Sequence, residues 1–347
     1  MSNDSKHFWQ GLGRLGMLIL VLEIGSASSA LAGEALFYKE ANLVGGYTDR
    51  EQWVANSQTL KTSLGFEYFK KFSNDYGDFL TLDLQARTFY DASQRGDQAW
   101  GVEIHDAWLE YKLGLGKNMR IGHFAPAFGL EPSVDTHGTL LQTLAPRNIG
   151  FKKDWGVSSR GFWGPVDYEI AAQMGSGMGI RKPGENFLLT ARVGSPAGQP
   201  FRYGVSLLWG EVLKSKQMRT IPHPELVSGK GAPKKRVGFD AQYETGPYTF
   251  KSEVAFGQDR DNEVLGMLAQ VDYVVPKFEK LQIEIQGNSF FHDLSEGQRT
   301  DAQIVTGFSY AISPKVTFRL GYFGDMHSSR DEEDHQILFQ PAGSYKC

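Results

Sequence analysis

The sequence predicts an all-β fold: a transmembrane, antiparallel, up-and-down β-barrel of about 16 strands. Three observations carry this. Apolar residues recur with period two, connections alternate between short and long, and aromatic residues gather at strand ends. Composition agrees, because 40 glycines, 13% aromatic residues and a mean hydropathy below zero suit strands that are apolar on one face only.

Residues 1–32 read as an export signal and stand outside the barrel. Lys6 and Arg14 give a positive n-region, Leu15 to Ile24 is apolar apart from Glu23, and Ala30-Leu31-Ala32 is a small-residue cleavage site. The run is about half of the roughly 20 apolar residues that a spanning helix needs. No composition shift or linker divides 33–347, so the mature chain reads as one domain.

The strands follow in order, with the weakest patterns at the two ends. After 38–48 and 58–69 comes 78–91, where Leu80, Leu82, Leu84, Ala86 and Tyr90 oppose Thr81, Asp83, Gln85 and Arg87. Segments 100–113 and 118–126 lie either side of a near-tight turn at Gly114 to Lys117, and 154–163 and 166–174 meet at Gly164-Pro165. Next come 186–194 and 201–209, then 235–244 and 248–257, joined through Thr245-Gly246-Pro247. In the last of these Tyr248, Phe250, Val254 and Phe256 oppose Lys251 and Glu253. Within 263–274 and 280–292, Leu281, Ile283 and Ile285 oppose Gln282, Glu284 and Gln286. Segments 301–312 and 315–324 turn at Ser313-Pro314, and 334–340 is the last strand. Helical spacing would mix the two classes of residue, so the strand reading holds.

Longer links at 127–153, 175–185, 210–234, 293–300 and 325–333 alternate with the tight turns. Short periplasmic turns and long outer loops mark an outer-membrane barrel, and this parity puts both termini in the periplasm. Tyr243 and Tyr248 flank one tight turn, Trp163 and Tyr168 another, as lipid–water interface residues would. Link 127–153 is long enough to be functional, and it holds prolines, glycines and an apolar cluster. It is predicted to fold into the lumen as a constriction, with one or two helical turns over Thr139 to Ala145 ended by Pro146.

Gly122-His123-Phe124-Ala125-Pro126-Ala127-Phe128-Gly129-Leu130-Glu131 resembles the G-x-F-x-x-P-F-x-L-E pattern of the phosphate-selective porin O/P family. That family's next strand commonly opens on an Arg-Asp-x-Gly-Val-like turn, similar to Lys153-Asp154-Trp155-Gly156-Val157 followed by Gly161. The likeness covers about forty residues. Ala127 stands where the family has proline, and Lys153 where it often has arginine. The resemblance implies a porin-like barrel and a homotrimer; it does not carry phosphate selectivity across.

Taking polar faces as inward, the candidate channel-lining residues are Arg120, Arg160, Arg87, Asp83, Arg192, Arg202, Glu284 and Arg319. Arg120 and Arg160 stand out because they flank the constriction loop, with ordinary wall pairing as the alternative. Inward acids and bases nearly balance, and no one-signed ring emerges. The acidic stretches Asp331-Glu332-Glu333-Asp334 and Asp259-Arg260-Asp261 read first as solvated loop charge, and as cation bridges to lipopolysaccharide second. Gly175-Ser176-Gly177-Met178-Gly179 looks like a phosphate cradle but lacks the following Lys-Ser/Thr, so it reads as a flexible loop. Lys214 to Lys235 is basic and reads first as a solvated, mobile outer loop, and second as a contact for lipopolysaccharide phosphates or a lure for anions at the mouth.

The function expected is a passive channel for small hydrophilic solutes or ions in the bacterial outer membrane, with lipid and lipopolysaccharide as neighbours. No catalytic residue, metal ligand set or cofactor is expected, since the histidines lack metal-ligand spacing and no Ser-His-acid set stands out. Cys347 is the only cysteine, which rules out an internal disulfide and a CxxCH haem attachment. A net charge of -4 argues against nucleic acid. The alternative is a barrel sheathing a multihaem cytochrome in an electron conduit, which needs that partner to carry the haem. A third class, outer-membrane enzyme or adhesin, finds no catalytic cluster or large folded loop in the sequence.

Overall fold

The computed structural model describes residues 35–49, 61–90, 99–114, 116–134, 139–177, 186–212, 231–294, 300–327 and 332–346. The expected export signal and most of the basic 214–235 loop lie outside these residues. Seventeen strand segments form one antiparallel sheet. They are β1 (Ala35–Asn42), β2 (Gly45–Thr48), β3 (Thr62–Asn74), β4 (Gly77–Tyr90), β5 (Trp100–Gly114) and β6 (Lys117–Phe124). Then come β7 (Asp154–Trp163), β8 (Val166–Gln173), β9 (Phe187–Gly194), β10 (Phe201–Val212), β11 (Ala232–Thr245) and β12 (Tyr248–Asp259). The last are β13 (Asn262–Val274), β14 (Leu281–Phe291), β15 (Thr300–Ser313), β16 (Val316–His327) and β17 (Glu332–Lys346).

From β3 onward each strand pairs with the next, and β17 closes the barrel against β1 and β2. The first wall strand is therefore broken, so seventeen segments make the sixteen strands of the wall. Val44 sits at the break, where its N–H donates to Thr62 Oγ1 at 3.0 Å, and the same hydroxyl donates back to the Val44 carbonyl. Closure leaves no unpaired sheet edge, which is the condition for strands to cross lipid.

The period-two pattern becomes a two-faced wall. Along β10, Phe201, Tyr203, Val205, Leu207 and Trp209 are exposed on the outer face, while Gly204, Ser206, Leu208 and Gly210 are buried within. At the end bearing the tight turns, rings of Phe201, Tyr243, Phe250, Tyr248 and Tyr273 touch in sequence around the outside, the first pair edge to face and the rest stacked. Such an aromatic belt suits a lipid–water boundary.

Three sequence expectations need correction. The last strand runs to Lys346, not to residue 340, because residues 342–346 pair with β1. The second wall strand is β3 at 62–74, shifted from the expected 58–69 because it pairs with β4 from Thr62 to Asn74. The helix in the long link, here α1, is Ala145–Asn148, whereas Thr139 to Leu144 is irregular. Pro146 opens this helix instead of ending it, since a proline lacks the N–H that the first turn leaves unused.

One irregularity in the wall matters for the lumen. Between β4 and β5 the register passes from Gln85–Asp106 to Ala86–Ile104, so His105 is an extra residue in a bulge. The bulge resets the alternation, so that Glu103, before it, and Glu110, after it, are both buried on the lumen side.

Candidate functional site: an inserted loop and a charged wall

The link between β6 and β7 is lashed to the inside of the barrel. A loop entering a lumen carries backbone groups that need partners, and wall side chains supply them. Ala127 N–H donates to Thr190 Oγ1 on β9 at 3.0 Å, and Gly129 N–H to Ser206 Oγ on β10 at 3.1 Å. Leu130 N–H donates to Glu253 Oε2 on β12 at 2.9 Å, and Asn148 Nδ2, from α1, to Oε1 of the same carboxylate at 2.9 Å. Further round, Gln286 Nε2 on β14 donates to the Gln142 carbonyl at 3.0 Å.

Apolar contacts follow the same path. Phe128 joins Ile149, Leu188, Leu208 and Ala255, and its ring lies so close to Gly238 that a Cβ there would stand 2.8 Å away. Leu130 and Leu144 meet Leu268. On the opposite wall Leu140 and Leu141 pack with Val44, Val305, Phe323 and Leu338. The loop thus spans the lumen from β9 to β17. Gly129 fits its turn because φ is +60° and because a Cβ would meet the Glu253 carboxylate at 2.5 Å.

Charged groups secure the stems. Arg147 Nη1 lies 3.8 Å from Asp301 Oδ2, and Lys153 Nζ lies 2.8 Å from Asp106 Oδ2. Thr143 donates its hydroxyl to Glu131. Burial pushes the Lys152 ammonium below its ordinary value, with Glu131 opposing the shift, and burial likewise lowers Arg147 against the pull of Asp301. Asp154, fully buried, accepts the backbone N–H groups of Trp155, Gly175 and Ser176. The glycine-rich run expected to be a flexible loop is therefore a cradle over its described part, 175–177. It holds the chain's own carboxylate.

Below the loop, toward the tight turns, the described residues line two lobes of the lumen. One of about 330 Å³ is lined by Arg160, Arg192 and Arg202 with Glu169 and Asp240. The other, about 370 Å³, is lined by Lys251, Glu284 and Arg319 beside Gln142 and Asp272. A larger concavity, about 1020 Å³, lies on the lipid-facing side among Met119, Ile170, Leu189 and Trp209, away from the lumen.

The structure sets seven of the eight candidates in lateral contacts along the wall and brings Arg120 and Arg160 together on one carboxylate. Arg120 grips Glu110 through Nε (3.1 Å) and Nη2 (2.9 Å) and lies over the Trp108 ring. Arg160 reaches the same Glu110 at 3.1 Å. Arg192 binds Asp240 at 2.6 Å and Arg202 binds Glu244 at 2.7 Å. Glu284 accepts from Ser309 Oγ at 2.9 Å, and Arg319 points toward Gln340 Oε1 at 3.5 Å. Arg120, Arg87 (paired with Glu103 at 2.6 Å) and Asp83, on β4, line neither lobe. Among the described residues no group of three or more His, Cys, Asp or Glu is placed to hold a metal ion.

Sequence reasoning missed the anchors Thr190 and Ser206 and did not single out Glu253. Each is an ordinary inward polar residue by period.

No protein-family model and no curated protein sequence matches the chain. Solved structures do match in fold. The loop-deleted OmpT, an outer membrane protein of Vibrio cholerae, aligns with TM-score 0.64 at 9% identity, covering 90% of this chain and 100% of that one. The Salmonella typhi OmpF in complex with daunomycin gives 0.62 at 11%, covering 91% and 98%. The anion-selective porin from Comamonas acidovorans gives 0.60 at 10%, covering 90% and 100%. At such identities the likeness is one of fold: a closed 16-strand barrel of the outer-membrane porin type.

Proposed function

We propose that this chain is a bacterial outer-membrane porin that passes small hydrophilic solutes or ions by diffusion through a water-filled lumen. The observation that carries the reading is the loop 125–153. It is tied across the lumen by hydrogen bonds to β9, β10, β12 and β14, which narrows the passage without plugging the two polar lobes beneath it. A narrowed, polar, charge-lined passage selects by size and field, with no covalent chemistry.

The apolar outer belt supports lipid and lipopolysaccharide as its surroundings. A homotrimer is the assembly proposed, in keeping with the in-vitro folded OmpT of Vibrio cholerae, whose structure is of a trimer form. The Gly122 to Glu131 motif supports the narrower likeness to phosphate-selective porins in fold only, since the lobes carry both signs of charge. The cytochrome-sheath reading has no observation in its favour, because the loop occupies the space that a haem carrier would fill.

Liposome swelling tests the proposal. Vesicles holding the folded protein should swell in small sugars and not in large oligosaccharides. Absence of swelling in every solute would overturn it.

A further inference from the structure

We infer that Gly204 is a specificity-determining position: by lacking a side chain it lets Arg192 lie flat across β10 and neutralise Asp240, which holds down the anion preference of the lobe. This rests on the porin reading and deepens it.

Arg192 is on β9 and Asp240 on β11, so the pair must cross the intervening strand β10. Gly204 stands directly opposite both Gly194 on β9 and Asp240 on β11. The guanidinium crosses at this point and binds in a fork, Nε to Oδ2 at 3.0 Å and Nη2 to Oδ1 at 2.6 Å. A Cβ on Gly204 would lie 2.4 Å from Nη2, 2.6 Å from Cζ and 2.7 Å from Nε of Arg192. The three nearest atoms all belong to one flexible side chain, so a methyl group there displaces the guanidinium and leaves the wall unchanged.

Once displaced, Arg192 loses its forked bond to Asp240, and the lobe's other nearby carboxylates, Glu169 and Asp167, stand on the β8 side of it. Its register neighbour Glu169 already accepts from Ser158 at 2.9 Å and lies 3.9 Å from Arg120. The freed cation, carried on the longer side chain, reaches further into the lobe than the short Asp240 carboxylate, which stays at the wall of β11. The surface that a passing ion meets becomes more positive at unchanged total charge, and a local excess of one sign is what biases a pore.

The experiment is the K+/Cl− permeability ratio from reversal potentials in planar bilayers under a KCl gradient. Gly204→Ala should shift the ratio toward Cl−, Arg192→Ala should shift it toward K+, and the double variant should match Arg192→Ala alone. Folding is checked by heat-modifiable gel mobility. If Gly204→Ala does not fold, the double variant should, because the side chain that a Cβ crowds has gone. The inference fails if folded Gly204→Ala leaves the ratio unchanged, if it shifts the ratio equally without Arg192, or if the double variant also fails to fold. A wild-type protein that conducts nothing overturns the porin reading instead, so the two failures are distinguishable.

Discussion

The Glu253 carboxylate, on β12, accepts the backbone N–H of Leu130 at 2.9 Å and so suspends the inserted loop from a wall strand 123 residues away in sequence. Its other oxygen takes Asn148, so one side chain holds both limbs of the loop. Replacing it with alanine strands two buried donors, at a cost of about 1–3 kcal/mol for each group left without a partner. Glu253→Ala should leave the barrel folded but loosen the loop. Single-channel recording should show a larger and noisier conductance than wild type.

Gly129 faces the same carboxylate from the loop side. Gly129→Ala adds a methyl group at 2.5 Å from Glu253 and forces alanine to keep φ at +60°. The strained backbone alone costs on the order of 1–3 kcal/mol. The variant should unfold at lower denaturant concentration than wild type, as followed by the loss of heat-modifiable mobility.

Arg120 and Arg160 share Glu110, with Arg120 also stacked over Trp108. Removing either cation leaves the carboxylate less compensated. Arg120→Ala and Arg160→Ala should each move the permeability ratio toward K+, and Arg160→Ala the more directly, since Arg160 lines a lobe and its side chain is 40% exposed. A shift toward Cl− in either variant would contradict the pairing described.

Lys152 supplies the pH dependence. Burial lowers its affinity for a proton, so as pH rises it becomes neutral before an ordinary lysine does. Losing a positive charge beside Glu131 makes the lumen more negative. The K+/Cl− permeability ratio should therefore rise through the alkaline range, starting below the ordinary lysine value of about 10.4. Lys152→Met should lack that part of the rise.

The wall was legible in the sequence because lipid on one side and water on the other impose strict alternation, as in Leu281 to Gln286. The order of tight and long links was equally plain, since Gly164-Pro165 and Thr245-Gly246-Pro247 are turns in their own right. The break at Val44 and the bulge at His105 left no mark in the period, because each depends on how neighbouring strands pair. The insertion of the long loop could be expected, but its route could not. Thr190, Ser206 and Glu253 contact it across 63, 77 and 123 residues, and nothing local separates them from other inward polar positions. The lobes likewise arise only when β7 to β11 and β12 to β16 curve round the loop.

Single-channel conductance in planar bilayers, for wild type and for a variant in which 127–153 is replaced by a short turn, tests the central claim most directly. The loop across the lumen predicts discrete, ohmic steps for wild type and larger steps for the shortened variant. A folded wild-type barrel that gives no steps, or a shortened variant that conducts no more than wild type, would contradict it.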